Sequence, residues 1–124
     1  MNLLLDTHAF IWWQTEDRRI GDPARRAIAD ASRVIVSAVS AWESSIKISQ
    51  GKLKLPEPFD AAAEASGFER IPITFEHAKG VIGLPWHHRD PFDRLLIATA
   101  IAEGLAIMTA DAIFARYDVP VVPT

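Results

Sequence analysis

The sequence contains no cysteine. That absence excludes a disulfide framework, a cysteine-ligated zinc site, an iron–sulfur cluster and a thiol nucleophile. Long apolar runs are also missing: the longest are four to six residues, against the roughly 20 that a membrane-spanning helix requires. Met1 to Phe10 carries Asp6 where a signal peptide has a basic start, so a cytoplasmic, membrane-free protein is expected. There is no basic excess either. Thirteen Lys and Arg against 16 Asp and Glu leave a net charge of −3, which is not the footprint of a nonspecific nucleic-acid binder. No stretch is low in complexity and no unit of 20–50 residues recurs, which excludes solenoids and propellers.

What is present fits one globular domain over residues 1–124. The chain is 49% apolar and 23% charged, and at this length roughly two thirds of the unfolded surface can be buried. Short apolar runs alternate with helical segments. Asn2 to Leu5 precedes a helix over Thr7–Gln14. Asp22-Pro23 opens a helix to about Ala31, with Asp22 as N-cap and Pro23 in the first turn. Arg33 to Val36 is β-branched and predicts a buried strand. Ser37 caps a helix over 38–50 that Gly51 stops. Pro58 opens a helix ending at Gly67, and Glu69 to Ile73 predicts a strand that Pro72 confines to an edge. Thr74 caps a short helix, Gly83 to Arg89 is a loop, and Asp90-Pro91 opens a helix over 91–103 closed by Gly104. Leu105–Met108 predicts a strand, 110–116 a short helix and Val119–Val122 a last strand. This order predicts an α/β fold, a three-layer α/β/α sandwich around a mainly parallel sheet.

Open α/β sheets bind ligands beyond the carboxyl ends of their strands. Asp6 directly follows the first strand, Glu43 lies within two turns of the second, Asp93 is in the first turn of the 91–103 helix, and Asp111 follows the fourth strand. Each has an ordinary local role open to it. Asp6 and Asp90 can cap helices, Glu43 can pair with Lys47 at i, i+4, and Asp93 and Asp111 suit first turns. Caps have no reason to gather at one end of a sheet, however. Four carboxylates brought together repel, so some protonate or a cation is present. An all-oxygen donor set implies a hard ion, Mg²⁺ or Mn²⁺. The histidines offer no rival site: His87 and His88 are adjacent and expected in a loop, and His77 is expected on a solvated helix face.

These segments together resemble a known family. Leu3-Leu4-Leu5-Asp6-Thr7-His8, Ser37-Ala38-Val39-Ser40-Ala41-Trp42-Glu43, Arg89-Asp90-Pro91-Phe92-Asp93-Arg94-Leu95-Leu96-Ile97-Ala98 and Thr109-Ala110-Asp111 resemble PIN-domain ribonucleases, specifically VapC-type toxins of type II toxin–antitoxin pairs. The resemblance spans essentially the whole chain. It implies a PIN-like fold, hydrolysis of RNA phosphodiester bonds with Mg²⁺ or Mn²⁺, a VapB-type antitoxin partner and a homodimer. Asp6, Glu43, Asp93 and Asp111 match the metal-binding acids, and Thr7 and Thr109 match hydroxyls that support them. Asp90 is an additional acid found in part of the family. No Ser–His–Asp order, lysine base or glycine-rich phosphate loop competes, which leaves metal-assisted hydrolysis.

Without the four site acids, the net charge of −3 becomes +1. Arg89 and Arg94 bracket the start of the 91–103 helix and are the best candidates for phosphate contacts. A response-regulator receiver domain would need an acidic pair after the first strand and a lysine near the last; the chain has Asp6-Thr7-His8 and no lysine after Lys79. An Asp-x-Asp phosphatase would need an acid where His8 stands. The alternative from another class is a non-catalytic PIN-like module that holds RNA or protein. Consecutive Phe10, Ile11, Trp12 and Trp13 cannot all face one core from one helix, so at least one is expected at the surface. By resemblance, that patch receives the antitoxin's C-terminal segment.

Overall fold

A computed structural model describes all 124 residues. Its five strands are β1 (Asn2–Leu5), β2 (Arg33–Ser37), β3 (Glu69–Ile71), β4 (Ala106–Thr109) and β5 (Val121–Pro123). All pair in parallel, in the order β3-β2-β1-β4-β5. β1 is central, with Leu4 opposite Ile35 on one side and Ile107 on the other. A strand covered on both faces has no polar side to show, which is why Leu3-Leu4-Leu5 is apolar without alternation.

The helices are α1 (Thr7–Gln14), α2 (Asp22–Asp30), α3 (Ala38–Ser49), α4 (Phe59–Ala65), α5 (Phe75–Gly80) and α6 (Pro91–Glu103). Successive strand residues point to opposite faces and so build two cores. Leu3, Leu5, Val36 and Met108 pack with Phe10 of α1, Ala24 and Ile28 of α2 and Ala62 and Ala63 of α4. Leu4, Ile35 and Ile107 pack with Leu96, Ile97 and Ala100 of α6 and with Phe114 and Tyr117. The expected three-layer parallel sandwich is what forms. From β1 the chain adds β2 and β3 outward on one side, then crosses to add β4 and β5 on the other. The switch therefore falls between β1 and β4, the position at which open α/β sheets bind ligands.

Local signals were mostly realised. Asp90 caps α6, its Oδ1 accepting from the N–H groups of Phe92 (2.9 Å) and Asp93 (3.0 Å), and Gly104 closes that helix at φ +69°. β3 is an edge strand with Pro72 beyond its end.

Several expectations need correction. The N-cap of α2 is Gly21, not Asp22, because the Gly21 N–H donates to the Thr124 carbonyl (2.8 Å) and holds that residue extended. The segment after Asp111 is a 3₁₀ turn over Ala112–Arg116, with Asp111 accepting from the Ile113 N–H. β5 starts at Val121 rather than Val119, since the Val119 N–H is drawn into a turn onto the Tyr117 carbonyl. His77 is buried at 1% exposure rather than solvated. Its ring accepts from the Thr74 N–H through Nδ1, completing a capping box, so its Nε2 donates to Glu103 of α6 (2.7 Å). The aromatic run of α1 agrees with expectation in that neither Trp12 nor Trp13 is fully buried, though neither lies bare. Both are half-buried: Trp12 stacks with His8 and the Arg19 guanidinium, and Trp13 packs on Phe68 near Arg25. Arginine guanidinium groups lie over the rings that the helix could not turn inward.

Candidate metal centre

The first acid is placed by the sheet itself. Asp6 leaves β1 with its N–H still bonded to the Met108 carbonyl of β4 (3.1 Å), so it stands at the switch point. It is 5% exposed. One oxygen caps α1 by accepting from the Ala9 N–H (2.8 Å), and the Thr109 hydroxyl at the end of β4 lies near enough to favour its ionised form. Thr109 Oγ1 also accepts from the Asp111 N–H (3.0 Å), tying the fourth acid's backbone to the same spot.

Glu43, also buried, enters from α3. The Thr7 hydroxyl donates to its Oε1 (2.6 Å). That hydroxyl has one proton, so the 2.9 Å contact between Thr7 Oγ1 and Ser40 Oγ is a bond accepted from Ser40. Lys47 reaches Glu43 Oε2 at 3.3 Å. The i, i+4 pair thus exists, yet it occupies only one of the two oxygens. Asp93, half-buried in the first turn of α6, has its Oδ2 3.3 Å from His88 Nε2. Asp90 and Asp111 are exposed, and each caps its own turn.

The electrostatics join these residues. Burial pushes the Asp6 carboxyl above its ordinary value, with the Glu43 charge adding to the rise and the Ala9 and Thr109 hydrogen bonds opposing it. Asp93 is pushed up to about 8, first by burial and then by the charges of Asp90, Asp6, Glu43 and Asp111. Every acid singled out in the sequence therefore stands close enough to act on Asp93. Lys47 is the one lysine or arginine in ion-pair contact with any of them.

A divalent cation fits this donor set chemically: hard oxygens, excess negative charge, and carboxyls driven toward protonation for want of a counter-ion. As the side chains stand, no three of them form a closed ligand group. The physical reason is visible in their partners. Asp6 is engaged by its cap, Glu43 by Thr7 and Lys47, and Asp93 by His88, each held by a local donor.

Arg94 corrects the sequence reading. It is 4% exposed, and its guanidinium donates to the carbonyls of Val81, Leu84 and Pro85 and to the Tyr117 hydroxyl. Those bonds hold the loop before α6, so Arg94 does not face a phosphate. Arg89 is exposed and keeps that possibility. His88 was missed. Its partner Tyr117 is 29 residues away, a relation that no local spacing encodes.

The sequence profile of the PIN domain matches residues 3–120. Ribonuclease VapC22 of Mycobacterium tuberculosis is 33% identical over 112 residues, covering 88% of this chain and 86% of its own. Among solved structures, VapBC2 from Rickettsia felis, bound to a promoter DNA fragment, matches with a TM-score of 0.75 at 16% identity, covering 99% of this chain and 98% of that one. DNA-bound VapBC from Salmonella typhimurium gives 0.72 at 18%, with the same coverages. The sarcin–ricin loop cleaving toxin VapC20 of Mycobacterium tuberculosis gives 0.61 at 16%, covering 93% and 94%. At these identities the solved structures share the fold.

Proposed function

The chain belongs to the PIN-domain family, and from that premise we propose that it is a metal-dependent endoribonuclease, the toxin of a toxin–antitoxin pair. The observation that carries the reading is the gathering of Asp6, Glu43 and Asp111 near the switch point of the sheet around half-buried Asp93, whose carboxyl is pushed up to about 8 first by burial and then by the charges of its acidic neighbours. The substrate class follows from membership and from the ribonuclease relative at 33% identity.

Asp6, Glu43, Asp93 and Asp111 would hold Mg²⁺ or Mn²⁺. A bound ion of this kind lowers the pKa of water and stabilises charge on a phosphoryl oxygen. The chain's own residues do the rest. Thr7 holds Glu43 in one orientation, and Thr109 fixes the backbone at Asp111 while favouring the ionised form of Asp6. Asp90 fixes the start of α6 and thereby the height of Asp93. Arg89, exposed just before that helix start, would meet a phosphate of the substrate.

The working unit is residues 1–124 as one domain, paired as a homodimer and acting in the cytoplasm. No helix is long and apolar enough to cross a membrane. A VapB-type antitoxin is the protein partner, as in the VapBC complexes that share the fold.

The test is incubation with a panel of structured RNAs, with Mn²⁺, Mg²⁺ or chelator, alongside Asp6→Asn. The expected result is cleavage by the wild type that chelator abolishes and Asp6→Asn lacks. RNA bound but left uncut by the wild type with either ion would instead favour a binding module, and undiminished cleavage by Asp6→Asn would sink the metal-nuclease reading.

A further inference from the structure

The loop before α6 carries a chain of hydrogen bonds that ends on Asp93. Tyr117, 4% exposed, has its hydroxyl within reach of three nitrogens. These are Arg94 Nη1 (3.3 Å), the His88 backbone N (3.3 Å) and His88 Nδ1 (2.7 Å). The first two are donors only, and a tyrosine oxygen has two lone pairs and one proton. Both lone pairs are therefore taken, and the Tyr117 proton must go to His88 Nδ1, the shortest contact of the three. A neutral imidazole that accepts at Nδ1 carries its proton on Nε2. Nε2 faces Asp93 Oδ2 at 3.3 Å, while Oδ1 of Asp93 accepts no hydrogen bond from the protein.

We propose that His88 is a positioning residue for Asp93, locked as its Nε2–H tautomer by Tyr117 so that it donates to Oδ2 and leaves Oδ1 as the free ligand oxygen. Arg94 is the root of this device. It is anchored on three loop carbonyls and covered by the Trp86 ring 3.9 Å away, and it fills one lone pair of Tyr117 from a fixed position. Outer partners that orient a metal-binding side chain commonly change affinity by about 10–100-fold when removed.

The role in metal binding rests on the metal-nuclease reading; the tautomer does not. Two measurements separate them. Long-range ¹H–¹⁵N correlation on histidine-labelled apo protein should find His88 protonated at Nε2, with the preference lost in Tyr117→Phe. A calorimetric Mn²⁺ titration should find affinity reduced about 10-fold or more in His88→Phe. His88→Gln, whose amide can reach Oδ2, should recover most of that loss. RNA cleavage should follow the same order and be restored in His88→Phe by excess Mn²⁺. A His88 proton found on Nδ1, or Mn²⁺ affinity unchanged in a folded His88→Phe, overturns the proposal while leaving the metal-nuclease reading intact. Wild-type protein that binds no Mn²⁺ and cuts no RNA overturns that reading and the role of His88 with it.

Discussion

The two ends of the sheet treat charge in opposite ways. At the amino end, Arg33 opens β2 and Glu69 opens β3, and the two meet in a two-pronged pair with both contacts at 2.8 Å, in solvent and in balance. At the carboxyl end, Asp6 and Glu43 are buried with Asp93 half-buried beside them, and one lysine is the only such cation in contact. The first arrangement is what surface chemistry produces by default and contributes little. The second works against stability, since burial and like charge both favour protonation. An arrangement that opposes folding needs another reason to exist, and ligand binding supplies one.

If the carboxyl end is a working site, its acids should matter to activity far more than to folding. Asp93→Asn is expected to reduce RNA cleavage at saturating Mn²⁺ by more than about 100-fold, since loss of a mere outer partner already costs 10–100-fold. The melting temperature in chelator should hold or rise. Full activity in this variant would remove the distinction between the two ends.

Arg94 sharpens the contrast from the stability side. Arg94→Ala leaves Tyr117 and three carbonyls short of donors, and a loss of about 3 kcal/mol in denaturant unfolding is expected. Arg33→Ala at the opposite end should leave unfolding essentially unchanged. Equal losses would mean that the buried guanidinium does no more than an exposed one.

The pH dependence of the metal-free protein follows from Asp93. Between its ordinary value of 3.8 and about 8, the folded state keeps a proton that the unfolded state has released. Stability from this source is therefore full at low pH and is lost as pH rises toward 8. Thermal unfolding in chelator should show a lower midpoint at pH 8 than at pH 5, with a shallower fall in Asp93→Asn. Mn²⁺ affinity should rise over the same interval, because binding needs the carboxylate. A fall of the same depth in Asp93→Asn would assign the effect elsewhere.

The smallest effect is expected at Asp90. Its Oδ1 already serves two backbone donors, and asparagine caps as well as aspartate. Asp90→Asn should keep cleavage within a few-fold of wild type and shift stability by about a few tenths of a kcal/mol. A loss matching that of Asp93→Asn would make Asp90 part of the site.

Much of this is legible in the sequence. Gly104 and Asp90-Pro91 bracket α6 because turn and cap chemistry is local, and the strand–helix alternation announces a parallel sheet because crossovers demand it. The order that sets Asp6 and Asp111 just past strand ends and Glu43 and Asp93 in the early turns of helices is legible for the same reason: it depends on sequence along the chain and on one rule about sheets. His77, Arg94 and His88 were misread or missed, and each is decided by a partner from another element. Glu103 and the packing of α5 on α6 bury His77. Carbonyls of the loop before α6 claim the Arg94 guanidinium, and Tyr117 sets the proton of His88. By itself, the sequence determined the order of the elements, the limits of α6 and on which side of the sheet the carboxylates emerge. Only the tertiary structure decided how deeply each is buried, which donor each oxygen meets and how strongly the acids feel one another. Those are properties of distance in space, and residues far apart in the chain carry no local mark of it.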